Sequence, residues 1–468
     1  MNALQEEMKR QLSNLNPKMI RRYLHDIIDW DARLISILGA RGVGKTTLLL
    51  QHIQESGDVE HSLFVFADNI YFTTHTLLDL AGTFYRNGGK YLYIDEIHKY
   101  PNWSTEIKNI YDSFPTLKVV YTGSSILDLE KGGADLSRRK LQYHMYGLSF
   151  REFVELKYGQ QIRVHSLQDL IAGHIDWPYQ SLQPLPAFAE YLRYGYYPYF
   201  TDGHLENHLY GSVLQTLEVD IPTFAQMNVG TIRKLKTLLG IIAASVPFKP
   251  NMQGIARDLS MSRNDISDLF YYLEKAGMIA QLRQSTEGIA LLGKVDKVYL
   301  NNTNLMYLLA SDKIEIGNVR ETFFLSVTQV TERVLASTIS DFQIGEYTFE
   351  VGGKKKGKKQ LAEAARGIVV RDDIEYYSPD IVPLFAFGLL YWRMVKVVIK
   401  WAQSHACMSY AEPTNEAGAE AKFTLIMPCK EEEDKVNVNK LDEVKVVVNL
   451  INQSNLLAIV NISFESFG

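Results

Sequence analysis

Cysteine is nearly absent from this sequence, in which Cys407 and Cys429 are the only two. Two cysteines can form neither a disulfide framework nor a zinc site of four cysteines, and they fit a reducing cytoplasm. Long apolar runs are missing as well: residues 381–391 give only about eleven apolar positions, whereas a membrane-spanning helix needs about 18 or more. The first residues are polar, so no signal peptide is visible. We therefore expect a cytoplasmic protein without a membrane-spanning segment.

A large excess of charge of one sign is also lacking. The formal net charge is −5, so the whole molecule is not a polycation and any contact with nucleic acid has to be local. Hydrophobic residues make up 46% and charged residues 22%, which is the composition of an ordinary globular protein. The 468 residues are enough for about two to four domains.

A glycine-rich segment carries the strongest functional signal. Residues 39–46 match the complete GxxxxGK[ST] pattern of a phosphate-binding loop, after an apolar run at 34–38 and before a helical stretch. Strand, loop and helix are the context that this motif needs, because backbone N–H groups and the positive helix end surround the phosphates. The alternative, a turn that matches by chance, is disfavoured by the complete pattern and its flanks. We expect ATP to contact Gly39, Ala40, Arg41, Gly42, Val43, Gly44, Lys45, Thr46 and Thr47.

Asp95 and Glu96 follow an apolar strand about fifty residues after the glycine-rich loop. In a phosphate-binding loop, Lys45 reaches the β- and γ-phosphates and the Thr46 hydroxyl binds Mg²⁺. We expect Asp95 to hold the Mg²⁺ shell and Glu96 to act as the catalytic base on the attacking water. Neighbouring strand-end residues diverge, so one can face the metal and the other the γ-phosphate. The alternative is a solvated acidic pair, which is the commoner fate of such pairs when no phosphate-binding loop precedes them.

A third strand, at 117–121, ends in a small polar cluster, Thr122-Gly123-Ser124-Ser125. A hydroxyl there can lie between the ends of the first two strands and sense the γ-phosphate, and Ser124 is our candidate for this catalytic role. A Gly-Ser turn that merely stops the strand is an equal alternative.

These motifs together resemble a bacterial and archaeal AAA-like ATPase family. The run from Asp95 to Trp103 is similar to its DEIxxxxxW signature, and the Thr122–Ser125 and 147–153 segments match it as well. The 191–198 segment resembles the family's YLxxGGxP motif, with Tyr196 in place of the second glycine. The resemblance extends over roughly residues 15–390 and is most specific in the first third.

The resemblance implies a P-loop ATPase with an additional strand, followed by a winged helix and a domain related to PD-(D/E)xK nucleases. It also places the family's characteristic arginine at Arg139, with Arg138 where the family usually has glycine. Such an arginine acts on the γ-phosphate, either within the chain or across a subunit interface.

The predicted fold class is α/β: a P-loop NTPase parallel sheet flanked by helices, then a helical and winged-helix region, then a smaller α+β domain. The strands are expected at 33–38, 62–67, 90–94, 117–121 and 141–146. The domain boundaries are an ATPase domain with a helical lead-in at 1–147, a helical connector at 148–230, a winged helix at 231–312, a nuclease-like domain at 313–391, and an unassigned tail at 392–468.

The predicted winged helix has an ambiguous surface. Its candidate recognition helix, Arg263 to Ala276, begins with one basic residue, and Asp265 and Asp268 lie close behind it. Attraction to phosphate would therefore be weak. DNA contact and packing against a protein partner stay equally open, as does assembly into a homo-oligomer.

The nuclease-like region contains Glu321, Asp341, Glu350 and Lys354 in the order of a PD-(D/E)xK site. Such a site uses the carboxylates to hold Mg²⁺ and the lysine to steady the charged phosphate. Here the lysine follows the glutamate by four residues instead of two, and Gly352 occupies the lysine's place. We expect the fold without the nuclease activity. The lysines at 354–356, 358 and 359 form either a solvated hairpin tip or a contact for a phosphate backbone.

The leading functional hypothesis is an enzyme that hydrolyses ATP with Mg²⁺ and couples turnover to movement of the following domains. The alternatives are a nucleotide-gated DNA-binding module with little turnover and an ATP-regulated nuclease.

Overall fold

The computed structural model describes residues 2–16, 19–125, 136–284, 295–310 and 314–390, and the unassigned tail at 392–468 lies outside these ranges. The first sheet is formed by β1 (Leu34–Leu38), β2 (Ser62–Phe66), β3 (Tyr91–Asp95), β4 (Lys118–Gly123) and β5 (Leu141–His144). Each predicted strand is confirmed to within two residues at either end. The strands are all parallel in the order β2-β3-β4-β1-β5, so their carboxyl ends meet at one edge.

Helices cover both faces of this sheet. They are α1 (Asn2–Ser13), α2 (Tyr23–Ile27), α3 (Lys45–Ser56), α4 (Leu77–Arg86) and α5 (Trp103–Ser113). Successive side chains of a strand point to opposite faces, so β1 feeds two separate cores: Ile35 and Ile37 pack in one, Leu34 and Leu38 in the other. All five residues of β1 are buried because the strand has neighbours on both sides and helices above and below.

The predicted helical connector begins at a capping box. Ser149 accepts a hydrogen bond from the Glu152 backbone, and the Glu152 side chain accepts one in return from the Ser149 N–H. The connector contains α6 (Phe150–Tyr158), α7 (Leu167–Ala172), α8 (Pro184–Tyr194) and α9 (Leu205–Gln215), then a π-helical turn at Thr216–Asp220 and the short α10 (Ile221–Ala225).

The segment predicted as a winged helix contains three helices followed by a pair of antiparallel strands. These are α11 (Val229–Ser245), α12 (Met252–Asp258), α13 (Arg263–Lys275), β6 (Ile279–Arg283) and β7 (Val295–Leu300). The candidate recognition helix therefore has the predicted start and ends one residue earlier. The order of elements agrees with the sequence analysis, and the winged-helix assignment itself stays a prediction.

An α+β region completes the described chain. After α14 (Thr303–Leu309) and α15 (Ile316–Thr328), a second sheet has the order β12-β11-β10-β9-β8. Its strands are β8 (Val334–Ala336), β9 (Phe342–Ile344), β10 (Tyr347–Gly352), β11 (Gly367–Arg371) and β12 (Ile381–Pro383). The pairs that involve β9 are antiparallel and the others are parallel, which makes the sheet mixed. In the described part of the chain, no helix combines the length and the apolar character needed to span a membrane.

Candidate nucleotide site

The glycine-rich loop joins β1 to α3 at the carboxyl edge of the first sheet, as predicted. Gly42 and Gly44 have φ of 83° and 100°, in the left-handed region that favours glycine. A side chain at Gly42 would also come within 2.5 Å of the Tyr199 ring. Helix α3 begins at Lys45, so its amino end faces the concave side of the loop.

Lys45 is folded back over the loop. Its Nζ donates hydrogen bonds to the carbonyl oxygens of Gly39, at 2.8 Å, and Ala40, at 2.9 Å. Burial lowers the pKa of Lys45 to about 8, although the charges of Asp95 and Glu96 act in the opposite direction. The ammonium group therefore lies at the loop without a direct ion pair to either carboxylate, which suits a group that meets an anionic ligand.

The two residues expected to hold Mg²⁺ are in direct contact. Thr46 Oγ1 donates a 2.6 Å hydrogen bond to Asp95 Oδ2, across 49 residues of sequence. Thr122 Oγ1 donates to the other oxygen of the same carboxylate. Burial raises the pKa of Asp95 against the opposing effect of these hydrogen bonds. The oxygen ligands of Asp95 and Thr46 are of the type that Mg²⁺ binds, so the residues present fit this ion.

Glu96 turns away from Asp95, as the adjacent pair predicts. Its φ of 53° is in the left-handed region, and its backbone N–H donates to Thr122 Oγ1 at 3.1 Å. Its carboxylate lies between Lys99 and Arg41, with Arg41 Nη1 at 3.6 Å. Burial opposes ionisation, but the hydrogen bond from Lys99 and the charge of Arg41 outweigh it and lower the pKa of Glu96.

Thr122, in the polar cluster that begins at the end of β4, supplies the hydroxyl of that cluster that contacts Asp95. The register places Tyr121 beside Ile94, so the following residues Thr122 and Asp95 are also adjacent. This adjacency is the signal that favours Thr122 as the linking hydroxyl. Ser124, our candidate, is buried, and its role stays a prediction.

Several buried polar atoms close to the loop lack a hydrogen-bond partner among the described residues. They are Arg41 Nε, both ring nitrogens of His98 and Ser125 Oγ. His98 is within electrostatic reach of Lys45, Arg41 and Glu96, and its pKa is lowered chiefly by burial. Unpaired buried polar atoms are costly, so those of Arg41 and His98 fit a polar ligand such as a nucleotide, although similar atoms also occur elsewhere in the described chain.

Arg139 does not reach the loop within one chain. It precedes β5, whose first residue Leu141 lies beside Ile35, whereas the loop follows Leu38 at the other end. The three steps from Leu141 to His144 alone span about 10 Å. Arg139 instead pairs with Asp112 of α5, with Nε and Oδ1 3.3 Å apart. This position does not favour action of Arg139 on the γ-phosphate within the chain, and its role, within the chain or across a subunit interface, stays a prediction.

Two other residues that the sequence analysis missed take part in the loop's surroundings. Arg22 is buried, donates to the Val43 carbonyl at 2.7 Å and pairs with Glu152 at 3.0 Å, so it links the loop to α6. Asp220, in the π-helical turn, lies 3.4 Å from Arg41 Nη2. Neither belongs to a local motif, because both contacts join segments that are far apart in sequence.

The carboxylates of the nuclease-like region also come together, but they already have cationic partners. Lys297 Nζ lies 3.3 Å from both Glu321 Oε2 and Asp341 Oδ1. Glu350 pairs with Lys356, which corrects the assignment of Lys354: Lys354 is exposed and makes no ion pair in the described residues. We refer to Glu321, Asp341, Glu350, Lys297 and Lys356 as the carboxylate cluster. In the described ranges, no group of three or more histidine, cysteine or acidic side chains is arranged to hold a metal ion.

Comparison with known proteins identifies the class of the first domain. Residues 31–154 match the model of an AAA domain family, and residues 185–314 match a domain of unknown function. Together with the sheet order and the loop, the match shows an AAA-like P-loop NTPase domain followed by helical and α+β regions.

A curated relative is an uncharacterized protein of Methanocaldococcus jannaschii, 26% identical over 270 residues. The match covers 53% of this chain and 56% of the relative, so the chain spans little more than half of that protein's length. The likeness to solved structures is remote. The Saccharomyces cerevisiae Hsp104-ADP complex has 16% identity and a TM-score of 0.28, with 58% of this chain and 41% of that chain covered. The Aeropyrum pernix ORC1 protein in complex with DNA has 13% identity and the same TM-score of 0.28, with coverage of 66% and 92%. Scores this low carry no argument about function.

Proposed function

We propose that this protein binds ATP with Mg²⁺ at residues 39–47 and hydrolyses it to ADP and inorganic phosphate. The observation that carries the proposal is the 2.6 Å contact between Thr46 and Asp95, which brings the loop hydroxyl to the strand-end carboxylate. A surface acidic pair would not be expected to receive hydroxyl hydrogen bonds at both oxygens of one carboxylate while only 1% exposed.

The chemistry follows from the positions of the side chains. Thr46 and Asp95 would hold Mg²⁺, which would supply positive charge to offset that of the β- and γ-phosphates. Lys45 has two loop carbonyls as its hydrogen-bond acceptors and can exchange them for phosphate oxygens. Glu96 is ionised at neutral pH, since its pKa is lowered, and can accept a proton from the attacking water. The bond that breaks joins the γ-phosphorus to the bridging oxygen, which leaves with ADP.

We also propose that turnover moves the connector at 148–230 and the predicted winged helix at 231–312. The Tyr199 ring of the connector packs at Gly42, and Gly277 approaches Ala40, where an added Cβ would lie 3.3 Å from the Ala40 side chain. A change in the loop can therefore be transmitted directly to both segments.

The test is the rate of phosphate release from Mg·ATP, measured alone and with single-stranded, duplex and branched nucleic acids. Lys45→Ala is the matched control for contaminating ATPases. Hydrolysis that is absent in every condition while ATP still binds would favour the nucleotide-gated binding module instead. Metal-dependent DNA cleavage that survives Lys45→Ala would favour the ATP-regulated nuclease. The carboxylate cluster does not support this activity, because Lys297 and Lys356 already pair with its carboxylates.

A further inference from the structure

Asp220 is a carboxylate that the connector contributes to the nucleotide site. It ends the π-helical turn Thr216–Asp220 between α9 and α10, and its side chain is only 6% exposed. Its Oδ1 lies 3.4 Å from Arg41 Nη2, 179 residues earlier in the chain. A π-helical turn interrupts the regular hydrogen-bond ladder of a helix and occurs frequently at functional sites. The π-helical turn therefore places the Asp220 carboxylate against Arg41 of the phosphate-binding loop.

Arg41 is incompletely paired by its two carboxylates. Asp220 lies at 3.4 Å and Glu96 at 3.6 Å, both longer than an ordinary charged hydrogen bond, and Arg41 Nε has no partner in the described residues. A guanidinium group can donate five hydrogen bonds and prefers planar, bidentate acceptors. A phosphate group offers such acceptors. Arg41 is therefore a cation whose donors are available to a better anion at the same place.

Asp220 is also within electrostatic reach of Lys45, which is expected to meet the phosphates. Its charge acts on Lys45 and on His98, raising the pKa of both against the larger effect of burial. The groups around it are thus Arg41, Lys45, His98 and Glu96. A triphosphate that contacts Lys45 brings negative charge close to the Asp220 carboxylate, and two anions at short range in a partly dry site repel each other.

We propose that Asp220 holds Arg41 while the site is empty and that the γ-phosphate of ATP takes Arg41 away from Asp220. Arg41 then contacts the γ-phosphate beside Glu96, within the same chain, in the position that Arg139 does not reach. Release of Asp220 frees the π-helical turn and the helices on either side of it. This inference rests on the proposed ATPase function and adds the step by which the γ-phosphate is sensed.

The experiment compares the affinities of ATP and ADP for the full chain by titration calorimetry. Asp220→Asn removes the competing charge and keeps the size of the side chain, so we expect ATP to bind about tenfold more tightly and ADP to change by less than about twofold. Glu218→Gln is the matched control, because Glu218 lies on the same turn but is paired with Lys236 at the surface. It should leave both affinities unchanged.

A double mutant tests the pairing itself. In an Arg41→Ala background, Asp220→Asn should increase the preference for ATP over ADP much less than it does in the wild type, since only the direct repulsion between Asp220 and the triphosphate remains to be relieved. Weaker ATP binding by Asp220→Asn, or an unchanged ratio of the two affinities, would overturn the inference. If the wild-type protein binds neither nucleotide, the proposed function itself fails, so the two failures are distinguishable.

Hydrogen exchange tests the release of the turn in a protein that keeps Asp220, so the result does not depend on whether the Asp220 variant folds. With Glu96→Gln to slow hydrolysis, ATP should increase amide exchange in residues 216–225 relative to the nucleotide-free protein, and ADP should not. Equal exchange in the ATP and ADP complexes would contradict release of the turn.

Discussion

Two sites in this protein contain the same kinds of side chain in opposite arrangements. At the nucleotide site, Lys45 donates to carbonyl oxygens of its own loop, at 2.8 and 2.9 Å, while Asp95 receives hydroxyl groups. In the carboxylate cluster, Lys297 lies 3.3 Å from each of two carboxylates, and Lys356 pairs with Glu350. Lys45 is held by uncharged carbonyl oxygens, whereas the charge of Lys297 is neutralised by carboxylates.

The difference shows which site can take an anionic ligand or a metal ion. A lysine held by carbonyls keeps its charge available for phosphate, whereas a lysine between two carboxylates takes the place that a divalent cation would fill. Motif order in the sequence does not separate these cases, because it counts carboxylates and lysines without stating which of them touch. The following changes test the comparison, from the largest expected effect to the smallest.

Lys45→Ala should abolish tight ATP binding, because the loop loses the cation best placed to meet the β- and γ-phosphates. Calorimetric titration with Mg·ATP measures this directly. Lys297→Ala is the matched change at the other site and should leave ATP affinity unaltered. Equal ATP affinity in wild type and Lys45→Ala would remove the distinction between the two lysines.

Glu96→Gln should bind ATP but hydrolyse it at least about a hundredfold more slowly, since the positioned base is lost. Single-turnover phosphate release is the measurement, with Asp95→Asn as a comparison that should also reduce turnover through the Mg²⁺ site. If both variants hydrolyse ATP at the wild-type rate, the pair is a solvated strand end and has no catalytic role.

Lys297→Met should destabilise the fold by about 1–3 kcal/mol, because two half-buried carboxylates lose their shared cation. ATP turnover of the folded variant should be unchanged. Urea unfolding followed by circular dichroism gives the free energy of unfolding.

The loss of stability in Lys297→Met should also depend on pH in a definite direction. Burial and the nearby Asp341 charge raise the pKa of Glu321 above its ordinary value of 4.5. A raised carboxyl pKa favours the folded state at low pH, and this contribution is lost as the pH rises through the folded-state pKa. Without Lys297 the folded-state pKa rises further, so the deficit relative to wild type should be smaller at pH 5 than at pH 8. A deficit that is larger at pH 5 would contradict the cluster's electrostatics.

Replacing Lys354, Lys355 and Lys359 by glutamine should have the smallest effect. Lys356 and Lys358 are paired with Glu350 and Asp380, so the other three are the lysines of this stretch without an ion pair in the described structure. If they contact a DNA backbone, the slope of log affinity against log salt should fall by about 2 to 3, at about 0.9 per phosphate. ATP turnover without DNA should not change. An unaltered slope would leave these lysines as a solvated part of the connection between β10 and β11, which are parallel and therefore do not form the hairpin that the sequence suggested.

Local motifs predicted the nucleotide domain well because its chemistry is concentrated at strand ends. Once strands are parallel, residues at or just beyond the carboxyl ends of β1, β3 and β4 must meet at one edge, and this brings Thr46, Asp95 and Thr122 together. The choice of Ser124 over Thr122 depended on strand register, which the sequence leaves open by a residue or two. Arg139 precedes β5, so it lies at the edge of the sheet opposite to the glycine-rich loop.

The sequence alone thus determined the parallel sheet, the glycine-rich loop and the positions of Lys45, Thr46, Asp95 and Glu96, because each depends on periodicity or on a short continuous pattern. Tertiary structure decided which charges are paired. Asp220 meets Arg41 from 179 residues away, and Lys297 reaches Glu321 and Asp341 from β7. The physical reason is that the strength of an ion pair depends on distance and burial, and the folded arrangement of distant segments sets both.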